Sequence, residues 1–280
     1  MSLELPSVLE EVAAYASSSP GKSEVESSRP EEDLATVRSY LDLVTELKEV
    51  IRLDGELELG GLIPLEPLIS KLENPSAILE AEEILVFSDL LYTATIIHRR
   101  LEALDDRYEL LKEQAQRITP LNQLRSLITR VLDENGTVRP DASSGLINIH
   151  HRTRGVRDRI RKRLESTVQD EDLARIVQED YITLRNDRYV ILLRPEFKGL
   201  LQGIVHDHSR SGASVYVEPL HVVELNNQVA SLIDEEREEI RRILQEVTQE
   251  IRSAAPVILD DYEALVWLDA FQARARYAIA

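Results

Sequence analysis

The sequence has 280 residues, 43% of them hydrophobic and 30% charged, with no Cys and a formal net charge of −18. This is the composition of a soluble, helix-leaning chain, long enough for one large domain or two smaller ones. The missing Cys excludes disulfide and thiolate chemistry and favours a cytoplasmic setting; no apolar run approaches the roughly 20 residues of a membrane span, and MSLELPSVLEEVAAYA lacks a signal-peptide layout.

In chain order, residues 3–52 read as helix, broken near SSSPGK (17–22) and SSRPEED (27–33), with Asp33 or Ser28 available to cap the helix that follows. Gly60, Gly61, Pro64 and Pro67 make 53–67 a loop. A short helix over 67–72, a long one from Pro75 and Ser76 to about Asp105, and further helices over 107–118 and 121–133 come next. Asn135-Gly136 marks a turn, in a small hairpin or a plain loop. From Ser143 to about Glu179, Leu146, Ile149, Val156, Ile160, Leu164 and Val168 fall mostly three or four apart. Leu220, Val223, Asn227, Ala230, Ile233, Ile240, Leu244, Val247 and Ile251 repeat that spacing until Pro256, and Asp260 to Ala280 reads as a final helix. Narrow apolar stripes flanked by charge predict an antiparallel pair of helices of roughly 35 residues, about 50 Å each.

Between the two helical segments the pattern turns to alternation. Tyr181–Arg185 and Arg188–Arg194 flank Asn186-Asp187, a two-residue hairpin loop, and Gly203–His208 and Ala213–Val217 flank a turn at Ser209–Gly212. The predicted fold is therefore mainly α, with a four-stranded antiparallel sheet inserted at the far end of a long helix pair. Charge is uneven: direct count gives about −14 over residues 1–150 and about +3 over 151–200. From Arg152 to Arg163, seven cations (Arg152, Arg154, Arg157, Arg159, Arg161, Lys162, Arg163) accompany one anion, Asp158. An acidic body with one basic zone directs a polyanion to that zone. The plainer reading is a solvated helix face.

The runs RNDRYVILLRPEFKG, GIVHDHSRSGASVYVEP and VVELNN resemble the MutS family, and within it the second-type branch linked to suppression of recombination. LEEVAAYASSSPGK near the start and LDAFQARARYAIA at the end resemble the same family, so the likeness covers nearly the whole chain. It implies a helical core (1–141), an outgoing lever helix (142–179), a β clamp that closes on duplex DNA (180–218), a returning lever helix (219–255) and a helix back to the core (256–280). It also implies a following ATPase domain and a nuclease domain, so that the sequence reads as an N-terminal piece of a longer, homodimeric protein using ATP and Mg2+. No G-x-x-x-x-G-K-[ST] occurs in the sequence, and neither does the Phe-x-Glu wedge of the repair branch.

Phosphate contact calls for cations on a surface that reads no base. The resemblance assigns this to Arg185, Arg188, Arg194, Lys198, His208 and Arg210; the competing reading pairs Arg185 and Arg188 with Asp187 and Glu196. The Arg152–Arg163 cluster either meets DNA or forms ion pairs across the helix pair with Glu235, Glu236, Glu238 and Glu239, opposite about 235–247. His206 and His208 share a strand face without a third ligand, and His150 and His151 diverge by about 100°, so neither pair reads as a metal site. Asp105-Asp106 and Asp234–Glu236 read as solvated acidic faces, and Ser209 and Ser211 beside His208 lack the acid and oxyanion site of a triad. No catalytic residue, metal or cofactor is expected in this stretch. Its expected role is sequence-independent binding of duplex or branched DNA. The alternatives are an RNA- or ribosome-directed clamp for stalled-ribosome rescue, and a structural coiled-coil module.

Overall fold

The computed structural model describes residues 4–169, 177–197, 201–209 and 214–280. Among these, nine α-helices and four β-strands divide into two packed units, one of residues 1–139 with 244–280 and the other of residues 140–243. The helices are α1 (Leu5–Ala13), α2 (Ser19–Glu26), α3 (Leu34–Asp54), α4 (Glu66–Glu73), α5 (Ala81–Glu102), α6 (Glu109–Gln116), α7 (Asn122–Val131), α8 (Ser144–Val168) and α9 (Leu220–Tyr277). Asp33 caps α3 by accepting from the Thr36 N–H, as the sequence suggests. The Asn135-Gly136 turn closes a minimal hairpin, with Leu132 bridged to Val138 and Gly136 at φ +77°.

The first unit is built on the second part of α9. Leu265, Leu268 and Ala273 of this helix are buried with Leu47, Leu59, Phe87, Leu91, Ile97 and Leu111. Four polar residues in this second part of α9 are buried as well: Thr248, Asp261, Asp269 and Gln272. Each accepts a backbone N–H from a non-helical segment that has no regular partner of its own. Thr248 takes Leu79 (3.0 Å), Asp261 takes Thr119 (2.7 Å) and Gln272 takes Leu57 (2.6 Å). Asp269 takes Ser17 and Ser18 at 2.9 and 2.8 Å and also the Ser18 hydroxyl at 2.6 Å. Buried backbone donors must be paired, so these side chains fix the loops that link the short helices. Gly21 is required at that contact: a Cβ there would lie 2.1 Å from an Asp269 carboxylate oxygen. The sequence signatures near the two chain ends, SSSPGK and LDAFQARARY, are thus two halves of one buried contact.

One expectation fails at Pro256. The returning helix does not stop there; α9 runs unbroken over 58 residues with Pro256 inside it. Proline in a helix interior costs roughly 3 kcal/mol through a lost hydrogen bond and a clash with the preceding turn. Ile251, Ile258, Tyr262 and Leu265, on the turns either side, are buried. At about 1.5–3 kcal/mol for each large apolar side chain, they outweigh that penalty.

In the second unit, α8 and the first part of α9 run antiparallel and share a core with the sheet. Ile149, Val156, Ile160 and Leu164 of α8 pack with Val222, Leu225, Val229 and Leu232 of α9. Ile191, Leu193, Val215 and Val217 of the sheet complete the cluster. The strands are β1 (Val177–Arg185), β2 (Arg188–Leu193), β3 (Gly203–His208) and β4 (Val215–Pro219), all antiparallel, in the order β1-β2-β4-β3. Both antiparallel strand pairs therefore form as predicted, joined through the central pair β2 and β4; the predicted turn at Ser209–Gly212 lies, but for Ser209, outside the described residues. Ile204 and Val205 on the edge strand β3 stay half exposed.

Two details of the helix pair differ from the sequence reading. First, α8 ends at Val168, and Val177 already pairs with Leu193, so a helix to Glu179 is excluded. The helix has 25 residues, or about 37 Å. Second, the inward stripe of α9 is shifted by one: Val222, Leu225, Asn226 and Val229 are buried, whereas Leu220, Asn227 and Ala230 are exposed. Neighbouring apolar pairs such as Val222-Val223 and Leu232-Ile233 fit either phase, and the contacts of Asn226 with the sheet select one.

Candidate nucleic-acid interface

The β1–β2 turn holds Asn186 and Asp187 at φ 50° and 60°, the left-handed pair that a tight hairpin needs and that Asn and Asp tolerate. It sets Arg185 directly opposite Arg188 in the ladder. Their side chains then part company. The Arg185 guanidinium lies over the Tyr216 ring, 5.3 Å from its centroid, and binds the Asp207 carboxylate, with Nε at 2.9 Å. Hydrogen bonding from Arg185, then from the His208 backbone N–H, holds the Asp207 carboxyl below its ordinary range. Arg185 remains partly open to solvent.

Arg188 turns inward. Its Nε donates to Glu218 at 2.7 Å and its Nη2 to the Asn227 side chain at 2.7 Å. Glu218 is fully buried and also receives His206 Nε2 at 2.6 Å and Asn226 Nδ2 at 2.8 Å. Burial alone would raise the Glu218 carboxyl; the bonds from Arg188, Asn226 and His206 outweigh it and keep the group ionised below its usual range. Asn226 additionally bonds both the N–H and the carbonyl of Tyr189. This one carboxylate therefore ties β2, β3 and β4 to the first turns of α9. An ionised buried carboxylate with three donors is stable where a lone one would not be.

The predicted phosphate cations thus fall into three groups. Arg185 and Arg188 already hold carboxylates, though the partners are Asp207 and Glu218 rather than the adjacent Asp187 and Glu196. Arg194 is exposed and unpaired among the described residues, and the exposed His208 interacts electrostatically with the neighbouring Asp207. Lys198 and Arg210 lie outside the described residues. His206, weighed as a metal ligand, is a structural donor, and no group of three metal-ligating side chains forms among the described residues.

The basic cluster on α8 is also divided. Arg152 makes a two-pronged contact with Glu235 (2.8 and 3.3 Å), Arg159 reaches Gln228 at 3.5 Å, and Arg163 donates to the His221 carbonyl at 2.6 Å. With His150 on Glu236 and Ser143 on Glu239, these contacts fix the antiparallel register. The cluster lies opposite 221–235, not opposite 235–247 as the heptads suggest; the one-residue shift in α9 and the shorter α8 account for the difference. Arg154, Arg157, Arg161 and Lys162 are exposed and make no ion pair among the described residues.

Sequence reasoning missed Glu218 and Asn226, which organise the sheet. A signal existed, since Asn226 interrupts an apolar helix face six residues after the strand–helix junction at Leu220. A polar residue there still reads as surface until its partner is known.

A mainly helical chain whose second unit mounts a four-stranded antiparallel sheet on a helix pair is the arrangement expected of a MutS-like core, lever and clamp. The chain is 32% identical to the Endonuclease MutS2 of Halalkalibacterium halodurans over 99% of its own length. It is 33% identical to that of Bacillus velezensis and 32% identical to the Putative endonuclease MutS2 of Bacillus subtilis, over 100% and 99% of its length. It belongs to the MutS family, on the MutS2 branch. The chain spans 36% of the length of each of these relatives. No family profile matches it.

Proposed function

We propose that this region binds duplex or branched DNA without reading sequence, as the lever and clamp of a MutS2-type protein. Its own role is non-catalytic. The observation that supports the reading best is the likeness to MutS2 relatives along the whole chain, joined to a unit in which a small sheet is braced on two helices. The charge distribution agrees with it. Counting over the two units gives about −16 for residues 1–139 with 244–280 and about −2 for 140–243. A polyanion is repelled by the first unit and tolerated by the second.

In a longer protein of this family, ATP with Mg2+ would act on a region outside this sequence, in a homodimer. Closure driven there would reach the sheet through α9, which contributes residues to both units. Nuclease chemistry and suppression of recombination belong to that longer protein. The test is gel-shift binding of the chain to linear duplex, four-way junction and ribosomal particles at several salt concentrations. Tighter binding to junction or duplex supports the reading. Exclusive binding to ribosomal particles replaces it with a ribosome-directed clamp, and no binding at low salt replaces it with a structural module.

A further inference from the structure

The cations of the second unit are not equivalent, and their bonding separates those that hold the fold from those that remain free. Arg152, Arg185, Arg188 and Arg242 each bind a carboxylate of the same unit. At 100° per residue, Arg152, Arg159 and Arg163 share one flank of α8, within an arc of about 40°, and all three bond to α9. Arg154, Arg157 and Arg161 share the opposite flank within about 60°. They span about 10 Å along the helix axis, with the buried stripe of Ile149, Thr153, Val156, Ile160 and Leu164 between the two sets. All three are exposed and none has a carboxylate within ion-pair distance among the described residues. Asp158 and Glu165, one turn away on the same helix, do not close on them.

From this division we infer that the Arg154, Arg157 and Arg161 flank of α8 is a phosphodiester-binding stripe that contacts the backbone of a nucleic-acid duplex, and that the hairpin arginines Arg185 and Arg188 brace the sheet instead. The inference rests on the proposed nucleic-acid function and relocates its main ionic contact from the strand turns to a helix flank. The physical basis is desolvation. Arg188 can reach a phosphate only by abandoning the buried Glu218, which strands a charge at several kcal/mol. The α8 stripe gives up only water and counterions. Steps of three and four residues put successive guanidinium groups about 4.5 and 6 Å apart along the axis. Flexible side chains can match that spacing to neighbouring phosphates.

The test compares the 280-residue chain with the Arg154→Ala/Arg157→Ala/Arg161→Ala variant on DNA and RNA duplexes of one sequence, measuring affinity from low to physiological salt. Each lost phosphate contact lowers the slope of log affinity against log salt by about 0.9 on B-DNA, so the triple variant loses about 2–3 from the slope. Affinity at physiological salt falls about 10-fold or more, equally for unrelated sequences. Replacement of the same three residues by Lys restores most of the slope, because charge and not fork geometry carries the contact. Circular dichroism of the Ala variant matches the parent, since the three side chains are exposed and hold no ion pair among the described residues. Binding by the parent with an unchanged slope in the triple variant overturns the stripe and leaves the nucleic-acid function standing. Failure of the parent to bind either duplex at low salt overturns that function, and the stripe with it. The DNA and RNA arms decide which backbone the stripe prefers.

Discussion

Asp261 offers the sharpest quantitative test of the first unit. It is buried at 1% exposure, Oδ1 accepts the Thr119 N–H, and Oδ2 has no hydrogen-bond partner among the described residues. Burial pushes its carboxyl up to about 6; the Thr119 bond and nearby His98 oppose the rise, and Asp260 adds to it. The ordinary value is 3.8, so the folded state holds a proton over a window of about two pH units that the unfolded chain has released. The sign follows from that. Stability is fully present below about pH 4, declines as pH rises through about 6, and is then flat, for a loss of about 3 kcal/mol. Asp261→Asn keeps the acceptor for Thr119 and removes the charge, at the cost of an unpaired amide worth about 1–2 kcal/mol. The variant gains about 1–2 kcal/mol over the parent at pH 7.5, becomes the less stable of the two at pH 4, and has a flatter profile between. Urea unfolding followed by the fluorescence of Trp267, the single Trp of the sequence, reads this unit directly, since its ring stacks 4.0 Å from Phe271. An Asn variant that tracks the parent at every pH, or is less stable at pH 7.5, refutes the reasoning.

Further substitutions test the other contacts. Gly21→Ala drives a methyl into the buried Asp269 carboxylate and destabilises the first unit by about 2–3 kcal/mol, measured by the same urea assay; an effect under 0.5 kcal/mol contradicts the close approach. Glu218→Ala leaves Arg188 without its carboxylate and loosens the sheet by about 3–5 kcal/mol, seen as faster hydrogen exchange at Tyr189 and Val217; unchanged protection argues against the brace. Glu239, hydrogen-bonded by Arg242 first and then by Ser143, has its carboxyl lowered to about 2. Its contribution is therefore present above about pH 4 and lost only as pH falls through about 2. Glu239→Gln weakens the capped first turn of α8 by about 1 kcal/mol at neutral pH, and amide exchange at Ile147 reports it.

The expected and observed elements agree closely wherever local chemistry decides the outcome. The Asp33 cap, the Asn186-Asp187 turn, the two antiparallel strand pairs and the α8 stripe all follow from residues within a few positions of one another. Disagreement begins where a partner distant in sequence intervenes. Pro256 reads as a stop because the local penalty is real, and the helix persists because both of its flanks are buried in the first unit. The phase of α9 is ambiguous among adjacent apolar residues until Asn226 meets Tyr189 and Glu218. The hairpin arginines read as free cations because the carboxylates that bind them, Asp207 and Glu218, stand 22 and 30 positions away.

Short-range patterns in the residues suffice to specify a mainly helical chain, a small antiparallel sheet inserted between two amphipathic helices, a basic segment in an acidic protein, and the family likeness. Periodicity, capping and turn chemistry are properties of short windows, and charge is a sum. Which of the described cations are bound and which are free emerges from the folded chain alone. Pairing depends on three-dimensional distance and on burial, and neither is encoded in a window of neighbouring residues.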